Sequence, residues 1–449
     1  DASTLTDTTF RNIRGLTYTD AHLTDYQGAI AAEADIADVV ALQALIDNVD
    51  ASIAAFDSVQ SAATNSDAST VSIDTLNAIR GLTFNNANFT DYQMAIAGET
   101  DISDEVALQA LLDSVDTSLV AFAEVQAAAT NSDALALSNE TLDAIRNLIS
   151  NSDNFADYQI AIAEENVIAD VSALQALIDS VDASIAAFIR IQSAASNSDS
   201  SSLSIDTFMV IRDMTYNEQH FADYQGAIAA EGSISDVAEL QALINSVDAS
   251  LAAFATVQDA ATNNDGALVS SDTLNAIRGL TSNSDNLTDY QDALGAETEI
   301  TDVAALQALI DSVDASLVAF ANVQSAATND SGASIGIETL TVIRGLTTNG
   351  DNIADYQNAI ADEAEVTDVS ALQALIDSVD ASISAFNDVQ IAATNNDVTS
   401  VTIETLNAIR GLTINDDNVT DYQGAIAAES DILDVAALQT LIDSVDASI

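Results

Sequence analysis

A tyrosine stands at Tyr26, Tyr92, Tyr158, Tyr224, Tyr290, Tyr356 and Tyr422, and every interval is 66 residues. An arginine keeps the same beat at Arg14, Arg80, Arg146, Arg212, Arg278, Arg344 and Arg410. A row of phenols suggests a binding stripe, and a row of guanidinium groups suggests a fork for anionic ligands. Each series also has a structural reading. Tyr92 and Phe122 fall on apolar helical faces, where core packing accounts for them. Each arginine sits among about ten acids per copy, which favours an intramolecular pair. Asp91 or Asp116, with their equivalents, are the expected partners. Such a pair fixes helix register more than it adds stability.

Other residues offer less chemistry. His22 and His220 are isolated, occupy a slot where other copies have Asn, and lack Cys neighbours, so neither zinc binding nor general-base work is expected. The loops TNSD, NNDG and NSDN carry oxygens of the kind Ca²⁺ prefers, but none matches a twelve-residue EF-hand loop. Asn, Asp and Ser also favour turns. The expectation is no cofactor and no metal site, with at most weak or diffuse Ca²⁺ binding. Sequons at Asn88, Asn286 and Asn418 fall on a helix's first turn. No paired buried carboxylates, phosphate loop or Ser-His-Asp arrangement is visible, and an enzyme is not expected.

The elements that must position these residues repeat with them. The periods run 1–66, 67–132, 133–198, 199–264, 265–330, 331–396 and 397–449, the first and last being truncated. There are no insertions or deletions. Each copy reads as three helices. In the second copy, SIDTLNAIRG opens on Ser72 as N-cap, with Asp74 in the first turn. Leu76, Ile79 and Leu82 form its apolar face. Gly81 is expected to end it with positive φ, and Arg80 to sit in its last turn. The same slot holds Gly15, Asn147, Asp213, Gly279, Gly345 and Gly411, all types that tolerate the left-handed region.

The second segment, NNANFTDYQMAIAGE, opens on Asn85, the slot of Thr19, Asn151, Asn217, Asn283, Asn349 and Asn415. Phe89, Tyr92, Ala95 and Ile96 share one stripe. The third, DISDEVALQALLDSVDTSLVAFAEVQAAATN, crowds acids into its first turn at Asp101, Asp104 and Glu105, as the helix dipole prefers. Its apolar residues Leu108, Leu111, Leu112, Val115, Leu119, Phe122 and Val125 hold helical spacing over about seven turns. Asn131 is the expected stop. A helix of about ten residues is marginal alone in water, so the short helices must lean on the long one. The expected fold is all-α: a tandem array of three-helix units in which the long helix is shared between adjacent bundles. Its first half would serve the short helices before it and its second half those after it. Ser118, small and Ser in every copy, would permit close crossing at the midpoint. The alternative is a separate three-helix bead per repeat.

Composition narrows the function. The chain has 449 residues, 48% of them hydrophobic, with 71 acids against 9 basic residues and a net charge of −62. That balance opposes nucleic-acid binding, which needs a basic footprint, and adsorption to anionic lipid. Salt shortens the screening length and makes such charge easier to tolerate. There is no Cys and no Pro. No uninterrupted apolar run approaches the roughly 18 to 20 residues of a membrane span, so membrane insertion is not expected. The last residues, LIDSVDASI, stop inside what elsewhere continues as a helix, and a piece of a longer array is expected.

The phrases DVAALQALIDSVDAS (from Asp302), DYQGAIAAE and TLNAIRGLT resemble the GA-like helical modules repeated in very large bacterial surface adhesins. The resemblance covers the whole chain, copy after copy, though the chain departs from the pattern in lacking Lys and Pro. It implies small three-helix bundles strung between an anchor and adhesive tips, outside the cell at its surface. Albumin binding is not carried over. The expected role is a stiff, acidic stalk or filament segment, its partners being further copies of the same repeat. The alternatives are a multivalent binding array for a host protein or surface polymer, and a subunit of a self-assembling fibre or surface layer.

Overall fold

The computed structural model describes residues 2–449, and among them every regular element is a helix. Long helices run Val39–Thr64, Glu105–Asn131, Val171–Ser196, Val237–Thr262, Val303–Thr328, Val369–Asn395 and Val435–Asp446. Two short helices precede each; in the second copy they are Ile73–Ala78 and Phe89–Gly98.

Local chemistry sets the helix starts. Ser72 caps its helix in a capping box with Thr75, which satisfies two orphan donors at once. The Asn85 side chain accepts from the Ala87 N–H and opens a short 3₁₀ turn, Asn86–Asn88, that leads into Phe89–Gly98. Asp104 is the N-cap of the long helix and accepts from the Ala107 N–H at 2.8 Å. Only Glu105 lies in that first turn, so Asp101 belongs to the preceding loop.

The helix ends differ from expectation. The first short helix stops at Ala78, and Ile79 turns extended. Arg80 and Gly81 therefore lie in a turn beyond it, not in its last turn. Gly81 does take positive φ, at 77°, as do Gly15, Asn147, Asp213, Gly279, Gly345 and Gly411. Helix Glu105–Asn131 includes Asn131, and the left-handed residue is Ser132.

The chain divides into two compact units: residues 1–215 with 228–237, and residues 216–227 with 238–449. In the first unit, one core holds Phe10, Tyr26, Leu45, Ile46 and Val49. A second holds Ala55, Phe56 and Val59 with Leu76, Ile79, Tyr92, Leu108, Leu112 and Val115. A third holds Ala121 and Val125 with Leu142, Tyr158, Leu174 and Ile178. Helix Val39–Thr64 thus gives its first half to one core and its second half to the next, and Glu105–Asn131 does the same. In the second unit, Val303–Thr328 places Leu306, Ile310 and Val313 in one core and Ala319 and Val323 in the next. Val369–Asn395 repeats that division. The long helix is shared between adjacent bundles, and each core that two long helices build straddles the boundary between sequence periods, while the first core lies within the first period.

Candidate functional site

The midpoint of each full-length long helix, and the end of the shorter Val435–Asp446, is where polar chemistry gathers. Asp116 Oδ1 accepts the Tyr92 hydroxyl at 2.5 Å and the Asn88 Nδ2 at 2.7 Å. The Tyr92 oxygen in turn accepts the Asn85 N–H at 3.0 Å. This knot ties the start of the second short helix to the middle of the long one. It recurs for Tyr26–Asp50, Tyr158–Asp182, Tyr224–Asp248, Tyr290–Asp314, Tyr356–Asp380 and Tyr422–Asp446. All seven tyrosines are buried, at 0–1% exposure, so they are core residues with a polar tip. Phe122 is only half-buried against its core.

Two residues beyond Asp116 is Ser118, buried at 8%. Its Oγ accepts the backbone N–H of Arg146 at 2.9 Å. The same latch joins Ser52 to Arg80, Ser184 to Arg212, Ser250 to Arg278, Ser316 to Arg344 and Ser382 to Arg410, at 2.8–3.0 Å. At about 100° per residue, two positions turn a side chain to roughly the opposite side of a helix. Asp116 holds the second short helix of its own repeat, and Ser118 holds the turn after the first short helix of the next. The expected close crossing at Ser118 is therefore also a hydrogen-bonded joint.

The arginine side chains find partners other than those expected. Asp116 is taken by Tyr92 and Asn88, and Asp91 forms no ion pair among the described residues. Arg146 instead donates from Nη1 to Ser114 Oγ at 2.8 Å and approaches Glu99 at 3.7 Å. Arg212 donates to Ser180 at 3.3 Å and pairs with Glu164 at 3.0 Å. Both acids end the second short helix of the preceding repeat, so the guanidinium spans the joint. These pairs are half-exposed and screened by solvent, and pairs at a protein surface contribute about 0–1 kcal/mol each. The serine below Arg146 is Asn48 in the copy below Arg80, and Arg80 makes no ion pair among the described residues.

Glutamines complete the framework, and the sequence reading did not single them out. Gln109 clamps Thr83 in both directions: Oε1 accepts its N–H at 2.7 Å and Nε2 donates to its carbonyl at 2.8 Å. Gln93 donates to the Val71 carbonyl at 2.8 Å. Gln60, on the second half of a long helix, reaches the Ile102 carbonyl at 3.0 Å in the next repeat's loop. Gln93 and Gln60 give part-buried loop carbonyls a partner, as backbone shielded from water requires, while the Gln109 clamp lies exposed. The available signal was their fixed recurrence inside otherwise apolar stripes.

The remaining candidates take structural parts. His22 and His220 stand in the Asn88 slot, and each Nδ1 bonds the matching aspartate, Asp50 at 2.7 Å and Asp248 at 2.6 Å. In the loops, Asp67 and Asp133 accept the Ser69 and Leu135 N–H groups, the turn chemistry of Asx residues. Among the described residues no group of three or more His, Cys, Asp or Glu is placed to hold a metal ion. The Asn88 amide, half of a sequon, is engaged with Asp116. Five long helices, from Val39–Thr64 to Val303–Thr328, are by length and composition apolar enough to cross a bilayer. This corrects the sequence reading, which sought uninterrupted apolar runs; scattered Ser and Asp interrupt these helices without making them polar on average. Their apolar stripes are packed into the cores described above.

Comparison with family models, with curated proteins and with solved structures finds no match to this chain.

Proposed function

We propose that this chain is a structural repeat array, a stiff acidic stalk or filament segment of a bacterial surface adhesin, outside the cell and joined to further copies of the same repeat. The observation that carries this reading is the joint: one unbroken helix enters two successive cores, and Asp116 and Ser118 fasten both neighbours to its midpoint. A hinge between repeats would have to bend that helix, and no Pro is present to kink it. Stability in such an array is close to a sum of unit and neighbour terms, and length scales with copy number. The charge of −62 keeps copies apart and the array soluble. The role is geometric, with no catalysis and no membrane insertion.

A multivalent binding array is less well supported. It would call for an exposed apolar patch repeated on every unit. No slot carries a large exposed apolar residue in every copy: Val40 and Val106 share theirs with Ser172, Ala238, Ala304, Ser370 and Ala436. Ile149 shares one with threonine in every other copy.

Electron images of the purified chain at low and at millimolar calcium test the reading. Straight particles of uniform width under both conditions are expected. Strings of independently oriented beads would remove the stalk, and ordered polymers would favour the fibre subunit.

A further inference from the structure

The first core of the first unit differs from its neighbours at four positions. Leu5, Ile13, Ile30 and Ile36 are only half-buried. Their counterparts one period on, Val71, Ile79, Ile96 and Ile102, are 0–3% exposed. The first copy carries an aromatic variant, Phe10 with Tyr18 and His22, but this is not the cause. The fourth copy has Phe208, Tyr216 and His220 in the same slots, and there Leu203, Ile211, Ile228 and Ile234 are 0–5% exposed.

What covers these positions elsewhere is the second half of a long helix. In the next core that half brings Ala55, Phe56, Val59, Ala62 and Ala63 onto the short helices. It also brings two hydrogen bonds: Ser52 Oγ accepts the Arg80 N–H, and Gln60 Nε2 donates to the Ile102 carbonyl. In the first core the matching groups are the Arg14 N–H and the Ile36 carbonyl, and among the described residues neither has a partner. Four partly exposed apolar side chains, one donor and one acceptor therefore lie in the pattern that a single helix face satisfies. That face carries Ser and Gln eight residues apart, as in Ser52 and Gln60, which is about 12 Å along a helix.

We infer that this face is an acceptor seat for the second half of a long helix donated by a further copy of the repeat. The recognition is apolar burial plus one accepted and one donated hydrogen bond. It extends the array at that end by the same contacts that join the internal repeats. The inference rests on the contents of the cores and not on the stalk reading; a flexible array would have the same seat.

The test is hydrogen exchange on the full chain extended by the sequence of residues 47–66 ahead of Asp1. This keeps the register, because Asp67 is the counterpart of Asp1. Amides between Leu5 and Ile36 should exchange at least about tenfold more slowly than in the unextended chain, approaching those between Val71 and Ile102. A scrambled extension of the same composition should change nothing. Alanine at the extension's counterparts of Ser52 and Gln60 should forfeit part of the protection. Absence of slowing with the native extension, or equal slowing with the scrambled one, would overturn the seat. Protection between Val71 and Ile102 reports in each case that the rest of the chain is folded.

Discussion

A phenol buried against a carboxylate is held in its neutral form, and this chain does so seven times. Burial, then the Asp248 bond, pushes the Tyr224 hydroxyl up to about 12. Burial raises Tyr26, Tyr92, Tyr158, Tyr290, Tyr356 and Tyr422 in the same direction, with the aspartate bond second. The folded value lies above the ordinary 10.0, so the folded protein keeps a proton that the unfolded chain releases. That contribution is whole below pH 10 and is lost as the pH climbs through the folded value, so stability falls with rising pH across that window. Tyrosinate absorbance followed with helical ellipticity should show the repeat tyrosines ionising late and in step with loss of helix. Ionisation near pH 10 with the helix intact would contradict their burial. The spacing of these tyrosines was legible in the sequence, and so was their place in the core. The partner was not. Asp91 and Asp116 are equally acidic on paper, and only the packing angle between two helices brings Asp116 to Tyr92.

At the scale of elements, the apolar stripe announced the long helix and its division between two cores. Leu108 to Val115 and Ala121 to Val125 lie on one continuous face, and no turn residue breaks it. Helix ends were read less well. Arg80 and Gly81 looked like a last turn and a stop, yet the helix closes at Ala78 because Ile79 turns extended to enter the core. Ser118 looked like a spacer, and its role as an acceptor depends on a donor 28 residues away. Glutamine, polar in the middle of apolar stripes, gave no local sign that it would clamp distant loops. The shared helix makes a sharp prediction. One Ala inserted after Ser316 turns the second half of Val303–Thr328 by about 100°. Ala319, Val323, Ala326 and Ala327 then leave their core. The repeat that follows should lose at least about 3 kcal/mol, comparable with a severe single core truncation, by denaturant unfolding or local exchange. One Ala inserted in the exposed loop at Asp133 should cost far less.

For the whole molecule, the same joint occurs six times in one chain, from Ser52–Arg80 to Ser382–Arg410. Repetition turns a local hydrogen bond into a property of the array. If each joint fixes one angle, the angles add and the array is stiff. Repulsion among 71 acids also favours extension, and it weakens as salt shortens the screening length from about 8 Å at 0.15 M to about 3 Å at 1 M. Stiffness from the joint persists in salt; stiffness from charge alone does not. Because the chain has no cysteine, spin labels can be placed without background. The direct measurement is the distance between labels one period apart, Asp57→Cys with Ala123→Cys in the first unit and Ala321→Cys with Asn387→Cys in the second, at low and at 1 M salt. The stalk predicts one narrow distribution, the same for both pairs and unmoved by salt. A broad or salt-dependent distribution, or two different distances, would contradict it.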